Sequence, residues 1–278
     1  DGDGLQSLDP WSLYIESTLD KEPSVAFEEP TRDLSLLPGA FLDARLTASD
    51  DIQLDRMRIQ IERSVVDDEG TSSTNQWQSE FEPASTGHSM DASLDFSTWD
   101  LQPGTTLLLE GMVWDTYRDE LGSDRVTNAA PRRIQIIDES RFLSMIRNRF
   151  KLLQQRAKDL DDRQAQLQRI VRSGGWTTGD QREQAAVSRA VQDQREQLDS
   201  IRDEMEMNRS QDQQVEALLS FSSESLDRAS SASNQAVESM QSGSPGREQV
   251  LQSQEEVRFE LGELVSMLGE DEESWLVS

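Results

Sequence analysis

Two kinds of hydrophobic spacing divide this chain near residue 138. Before that point, apolar residues alternate with polar ones, most clearly at Met57, Ile59 and Ile61, and this alternation is typical of β-strands with one buried face. After that point, apolar residues recur every three or four positions, as on one side of an α-helix. The sequence therefore predicts an all-β part followed by an all-α part.

The β part is predicted to hold six or seven short strands between residues 39 and 138. Turn-forming residues separate the strands, which is the pattern of an antiparallel β-sandwich. Residues 1–38 carry four prolines, which cut this segment too finely for a long element. We predict an N-terminal arm or edge segment there, with a short strand at residues 25–27.

The α part is predicted to begin after a strand at residues 131–137, with Asp138 and Ser140 as candidate N-caps. The helix-breaking stretches SGGWTTGD and SGSPG separate the predicted helices, and Asp180 is expected to cap the second one. The middle helix either continues across Asn208 or bends there. An antiparallel coiled coil of three long helices is expected, at about 140–172, 181–241 and 246–268.

The predicted helix lengths also suggest how the helices pair. The first and third together have nearly the length of the middle one, so we expect them end to end along it. Residues 141–172 carry a net charge of +6 and residues 210–278 one of −11, which favours their pairing. The apolar stripe of each helix needs a partner, from the same chain or from another copy.

A turn-and-strand motif, LQPGTTLLLEGMVWD, occupies residues 101–115. It resembles the corner of fibronectin type III and related immunoglobulin-like domains. Leu101, Pro103, Gly104 and Thr105 match that corner, and Leu107 stands where the family has a tyrosine. The stretch LTASDDIQLDRMRIQIE is also similar to extracytoplasmic immunoglobulin-like repeats of large bacterial membrane-anchored proteins, in which the last strand leads into a coiled coil.

This resemblance covers roughly residues 30–170. It implies an immunoglobulin-like sandwich at residues 39–138 followed by a helical coiled-coil domain at 139–278. It also implies a place on the periplasmic or extracellular side of the cell envelope. It brings no catalytic residues.

Composition excludes several classes of function. The net charge of −27 repels nucleic acid and anionic membrane surfaces. The chain has no cysteine, so disulfides, thiolate metal sites and cysteine nucleophiles are excluded. No apolar run reaches the ~18–20 residues of a membrane-spanning helix, so no span is predicted. The single histidine, His88, is expected in a surface loop, and we predict a non-enzymatic protein without a required cofactor.

Acidic residues near the predicted strand ends are the candidate metal ligands. Asp50, Asp51 and Asp115 are the preferred calcium set, because Asp115 flanks the end of one predicted strand and Asp50 and Asp51 lie in the turn before another. Calcium takes six to eight oxygen ligands, which carboxylates from several loops can supply. Solvated acidic loops without an ion are the alternative interpretation of the same residues.

The tryptophans are the candidate contact residues. Trp77, Trp99 and Trp114 are expected in the core or at an edge of the sandwich, with a sugar-stacking platform as the alternative. Trp176, in a predicted helix–helix loop, either folds back as a plug or projects as a docking knob. Trp275, near the C-terminus, is a candidate anchor for a partner.

The resulting hypothesis is an oligomeric structural or interaction protein. It acts as a scaffold or spacer in a cell-envelope assembly, and its helices mediate self-association or contacts with protein partners. The alternative is a ligand-binding module, with calcium or glycan on the sandwich and helices that only multimerise it.

Overall fold

The structure is a computed structural model that describes residues 19–66, 72–81, 87–118, 122–242 and 246–274. An N-terminal β region is followed by four α-helices. The predicted order of an all-β part and an all-α part is therefore confirmed.

Nine strands form two sheets in the described part of the chain. One sheet has the order β1-β3-β6, and the other has the order β2-β9-β7-β4-β5, with β8 also paired to β7. The strands are β1 Ser24–Glu29, β2 Leu34–Leu36, β3 Phe41–Ser49, β4 Leu54–Val66, β5 Ser72–Phe81, β6 Gly87–Asp95, β7 Thr106–Arg118, β8 Asp124–Asn128 and β9 Arg132–Ile136.

The alternating pattern of the sequence places one face of each central strand in the core. In β4, Met57, Ile59 and Ile61 are fully buried, and β4 pairs antiparallel with both β5 and β7. In β7, Leu107 and Leu109 are fully buried in the same way. Side chains that alternate across a strand put every second residue on the same face.

The two sheets approach each other closely at Gly111 of β7. A Cβ atom at this position would overlap the Leu46 side chain of β3 and would lie 3.1 Å from the Phe27 ring of β1. Glycine is required here because only a residue without a side chain leaves room for these two groups.

The described residues divide into two compact units. Unit 1 comprises Asp1–Leu34, Asp43–Ala92 and Thr106–Ile134, and unit 2 comprises Ser35–Leu42, Ser93–Thr105 and Gln135–Ser278. Unit 1 contains most of the strands. Unit 2 contains the helices together with two short segments from the β region.

Side-chain caps define the starts of three helices. Asp138 accepts a hydrogen bond from the Arg141 N–H at 2.8 Å, as the sequence predicts for this N-cap. The second helix begins at Thr178, with Thr177 as the N-cap and Asp180 as its reciprocal capping-box partner, so the prediction of Asp180 as the cap was wrong. The helices are α1 Glu139–Ser173, α2 Thr178–Met207, α3 Gln213–Gln241 and α4 Arg247–Ser274.

The predicted middle helix, 181–241, is divided into α2 and α3. The chain turns at Asn208, and Arg209 takes a left-handed backbone conformation with φ of 50°. Asp212 then caps α3 by accepting a hydrogen bond from the Val215 N–H at 3.0 Å. Consecutive helices therefore run antiparallel, and α4 packs against both α1 and α3. The predicted end-to-end arrangement was wrong.

The bundle core is mainly apolar, and one layer of its buried polar side chains is joined by hydrogen bonds. Gln184 of α2 forms hydrogen bonds with Gln164 of α1 at 3.0 Å, with Gln254 of α4 at 2.9 Å and with Ser233 of α3 at 3.4 Å. None of these four side chains is exposed to solvent. Each helix thus contributes one buried polar residue at the same level.

Candidate functional site

Three carboxylates meet at one edge of unit 1. Asp50 and Asp51 lie in the turn between β3 and β4, and Asp20 lies beside them, with one oxygen of each within 4.8 Å of the others. The Gln53 N–H donates to one oxygen of Asp50 at 2.7 Å. The second oxygen of Asp50 and one oxygen of Asp20 are buried and accept no hydrogen bond from a described residue.

Asp115, the third predicted calcium ligand, lies outside this group of three. Its side chain is 1% exposed and is bound by Arg125, whose Nε donates to it at 2.6 Å. Arg125 also donates to Asp20 at 2.8 Å. Burial alone lowers the pKa of Arg125, but the hydrogen bond and the charge of Asp115 outweigh that effect and raise this pKa overall.

The charges at this edge determine which kind of ion it can bind. Asp20, Asp50, Asp51 and Asp115 bring four negative charges, and Arg125 offsets one of them. Three converging carboxylates suit a hard cation that prefers oxygen ligands, with water completing its coordination. Arg125 opposes such a cation by its own charge and by occupying Asp115.

Exposed apolar side chains adjoin the three carboxylates. Ile52, next to Asp51, is 56% exposed, and Tyr117 is 44% exposed. The Arg125 guanidinium lies 4.5 Å from the centre of the Tyr117 ring, close enough for a cation–π interaction. The edge therefore combines negative charge with apolar surface.

Trp114 is part of the packed structure of unit 1. It is 8% exposed, and the guanidinium groups of Arg56 and Arg58 lie 4.5 and 5.2 Å from its ring centre. Trp99, in unit 2, meets the Phe96 ring edge-on at 5.2 Å. Both fit the expected core or edge positions. The Trp77 side chain lies outside the described residues.

Trp176 folds back onto the helix bundle. Its indole N–H donates a hydrogen bond to the Met240 carbonyl at 3.1 Å, and its ring packs against a small apolar cluster with Val171 and Val250. The plug is thus the arrangement found, rather than the projecting knob. Trp275, the other predicted contact residue, lies outside the described residues.

His88 occupies strand β6, so the expectation of a surface loop was wrong. The sequence around it, STGHSM, contains turn-forming residues that hid the strand. Asp20 and Arg125 were also missed as members of the acidic edge. The pairing of Ser24 with Ser49 in β1 and β3 brings Asp20 close to Asp50, and only that register would have revealed it.

Comparisons with known proteins supply no family. No family model matches the chain, and no curated protein matches it. Among solved structures it is similar to a chain titled "pT26-6p", with 10% sequence identity and a TM-score of 0.27 over 91% of this chain and 51% of that one. This chain therefore spans about half the length of that protein, and a TM-score of this size establishes no shared fold.

Within the described residues, no helix is long and apolar enough to cross a membrane. This finding agrees with the prediction of no membrane span in this chain.

Proposed function

We propose that the protein is a non-enzymatic scaffold or spacer that acts in a cell-envelope assembly. In this proposal the helices mediate self-association or contacts with protein partners. The two sheets form an immunoglobulin-like sandwich, and the protein works on the periplasmic or extracellular side of the envelope.

The single observation that carries this proposal is apolar surface on the helices. Met145 and Leu152 of α1 and Phe259 of α4 are 38%, 52% and 62% exposed, although the core of the bundle is already filled by residues from all four helices. Large apolar groups in contact with water favour association with another surface. A helix bundle that fills its own core and still exposes large apolar side chains is suited to association with another protein surface.

The buried polar layer also favours a spacer function. Gln184 forms hydrogen bonds with both Gln164 and Gln254, and it reaches both only when the helices stand at one level. Buried polar groups of this kind can fix the register of packed helices. A bundle with one fixed register keeps a constant length between the surfaces at its ends.

Two features support the immunoglobulin-like form of the β region. The strand pairs β1–β3, β4–β5, β4–β7 and β7–β8 are antiparallel. The corner motif is folded as a turn: Leu101 is buried, the Gly104 N–H donates to the Ile136 carbonyl at 2.8 Å, and Gly104 has φ of 96°. A positive φ explains the glycine of this motif.

Light scattering coupled to size exclusion tests the assembly function on the full chain. We expect a mass above that of one copy, rising with protein concentration. A mass of one copy at every concentration, together with failure to cross-link to any protein at the cell surface, contradicts the proposal. Protease treatment of intact cells and of cells with a permeabilised outer membrane tests the location, because an extracellular protein is cleaved in both samples and a periplasmic one only in the second, while a cytoplasmic marker survives in both.

A cation site is the second candidate function, and the three carboxylates of unit 1 favour it. The two buried oxygens of Asp20 and Asp50 without hydrogen-bond donors are free to coordinate calcium. Titration calorimetry of the full chain with calcium tests this candidate. The double variant Asp50→Asn, Asp51→Asn should abolish the binding heat, while Asp159→Asn, Asp162→Asn on α1 should retain it. Equal heats in the two variants contradict a specific site.

A further inference from the structure

The outer surface of α1 carries an unusual charge for this protein. Residues 141–156 contain five basic and no acidic residues, in a chain with 54 acidic and 27 basic ones. Met145 and Leu152 are seven residues apart, which places them two turns apart on the same side of the helix. Arg141 and Arg156, each four residues beyond, lie on that side too. We call these four residues the α1 surface.

The four side chains of the α1 surface are available to a partner. Met145 and Leu152 are 38% and 52% exposed, and Arg141 and Arg156 are also exposed. Neither arginine side chain forms an ion pair with another residue in the described part of the chain. Met145 and Leu152 lie about 10 Å apart along the helix axis.

The outer side of α4 has the complementary arrangement. Phe259 is 62% exposed, and Glu255 and Glu263, four residues before and after it, lie on the same side of the helix. Both glutamates are exposed, and neither forms an ion pair among the described residues. Gly262, one turn from Phe259, has open space where a side chain would stand. We call Phe259, Glu255 and Glu263 the α4 surface.

We infer that the α1 surface of one copy binds the α4 surface of a second copy of this chain. Phe259 fits between Met145 and Leu152, where the thioether of Met145 favours an aromatic contact. Glu255 and Glu263 then face Arg156 and Arg141. A second copy is the occupant because each surface supplies the charge and the apolar groups that the other lacks, and both are present on every copy.

This contact has a consequence for the size of the assembly. The two surfaces differ, so a copy that uses its α1 surface on one neighbour still has its α4 surface free for another. When the two surfaces of one copy bind different neighbours, the contact is heterologous and continues into a ring or a filament, whereas two copies that exchange both contacts reciprocally close a two-fold dimer. The inference rests on the proposed assembly function and names the surfaces that carry it out.

Two surface variants of the full chain test the inference by sedimentation velocity. Phe259→Ser removes the α4 surface and keeps the α1 surface, whereas Met145→Ser with Leu152→Ser does the reverse. All three positions are exposed, so both variants should keep the circular dichroism of the wild-type protein. Each variant alone should associate at least about tenfold more weakly than the wild-type protein, as expected for loss of a central apolar anchor.

The mixture of the two variants is the decisive sample. Each complex then contains one intact α1 surface and one intact α4 surface, so association should resume and stop at two copies. Wild-type protein, with both surfaces intact on every copy, should form larger species or a reciprocal dimer that is tighter than the mixed pair. Ile52→Ser, which removes an apolar side chain of similar exposure from unit 1, is the matched control and should assemble as the wild type does.

The outcomes separate this inference from the proposed function. Wild-type assembly that both variants retain overturns the inference and leaves self-association standing through other residues. A mixture that grows beyond two copies, or an Ile52→Ser variant that fails to assemble, also overturns it. Wild-type protein that stays monomeric at every concentration overturns the inference together with self-association.

Discussion

The backbone N–H of Leu37 donates a hydrogen bond of 2.7 Å to the side-chain oxygen of Asn208, 171 residues further along the chain. The amide nitrogen of Asn208 donates in turn to the Glu204 carbonyl at 2.7 Å. Asn208 is 3% exposed. Within unit 2, this one side chain therefore ends α2 and fixes the α2–α3 turn to the segment before β3.

Replacement of Asn208 by alanine should destabilise the protein. The Leu37 N–H would lose its acceptor in a partly buried place, which costs about 1 kcal/mol or more. Urea unfolding followed by circular dichroism measures this change. Asn234→Ala is the matched control, because Asn234 is an exposed helical residue that bonds Ser188, and its effect should stay within about 0.5 kcal/mol. Equal losses in both variants would assign the effect to the substitution itself.

The ion pair between Arg209 and Asp95 should make stability depend on pH. Arg209 donates to both oxygens of Asp95, at 3.1 and 3.0 Å, and together with the Ser97 hydroxyl and N–H it holds the pKa of Asp95 well below its usual range. Because the pKa is lower in the folded state, the pair stabilises the protein above the ordinary aspartate pKa of about 4. That stabilisation is lost as the pH falls through the lower folded pKa.

Urea unfolding of wild-type protein and Arg209→Gln across the acid range tests this dependence. The stability difference between them should be largest near neutral pH and should shrink as the pH falls below about 4. Arg202→Gln, at an arginine of α2 whose side chain is 40% exposed, changes the net charge equally. The same pH trend in that control would attribute the effect to net charge alone.

The buried glutamine layer should respond differently to single and combined substitutions. Gln184→Leu leaves Gln164, Gln254 and Ser233 with unsatisfied groups, and each such group costs about 1–3 kcal/mol. Replacing Gln164, Gln184 and Gln254 together by leucine removes most of those groups and should recover most or all of the loss. Guanidinium unfolding compares the free energies. A triple variant less stable than the single one would contradict this account.

A methyl group at Gly111 should be costly because of its position between the sheets. Gly111→Ala drives a Cβ into the Leu46 side chain, and overpacking of this kind costs about 1–3 kcal/mol. Gly87→Ala is the control, since the nearest atom to its Cβ would be the Ala48 carbonyl oxygen at 3.8 Å. Thermal unfolding should show a lower midpoint for the first variant only.

Loss of Arg125 should leave a buried carboxylate unpaired. Asp115 is 1% exposed, so Arg125→Met should destabilise the protein by about 3–5 kcal/mol. A second change, Asp115→Asn, removes the buried charge and should restore part of that loss. Urea unfolding of the two variants measures the recovery. A double variant as unstable as Arg125→Met would assign the loss to packing rather than to charge.

The sequence predicts elements well where a periodic pattern runs through a whole element. The alternation of Met57, Ile59 and Ile61 indicates β4, and Asp138 followed by the spacing of Phe142 and Ile146 indicates α1. In both cases the buried face is determined by local spacing, which a linear sequence displays.

The break at Asn208 was harder to predict. Residues on both sides of the break favour helix. A positive φ is usually indicated by glycine in the sequence, and here the residue with positive φ is Arg209. The acceptor role of Asn208 toward Leu37 depends on a contact 171 residues away. Asp212 was the available signal, since aspartate three residues before Val215 suits an N-cap.

The buried glutamines show another limit of sequence patterns. Gln164, Gln184 and Gln254 are read as solvent-facing in a glutamine-rich helix, because a polar side chain is usually exposed. Each of these glutamines can be buried at low cost only because its hydrogen-bond partners on the other helices lie at the same level. This arrangement depends on three helices at once, so the sequence of any one helix does not indicate it.

The place of α4 in the bundle bears on how the protein folds during synthesis. Helices α1, α2 and α3 are neighbours in sequence, so their contacts are local and form quickly. The surface of α1 that α4 covers, with Asp161 pairing to Arg258 97 residues later, stays open until the ribosome has made α4. During that interval the nascent chain presents an incomplete three-helix core, which makes translation of α4 the step that ends its exposure to aggregation and proteolysis.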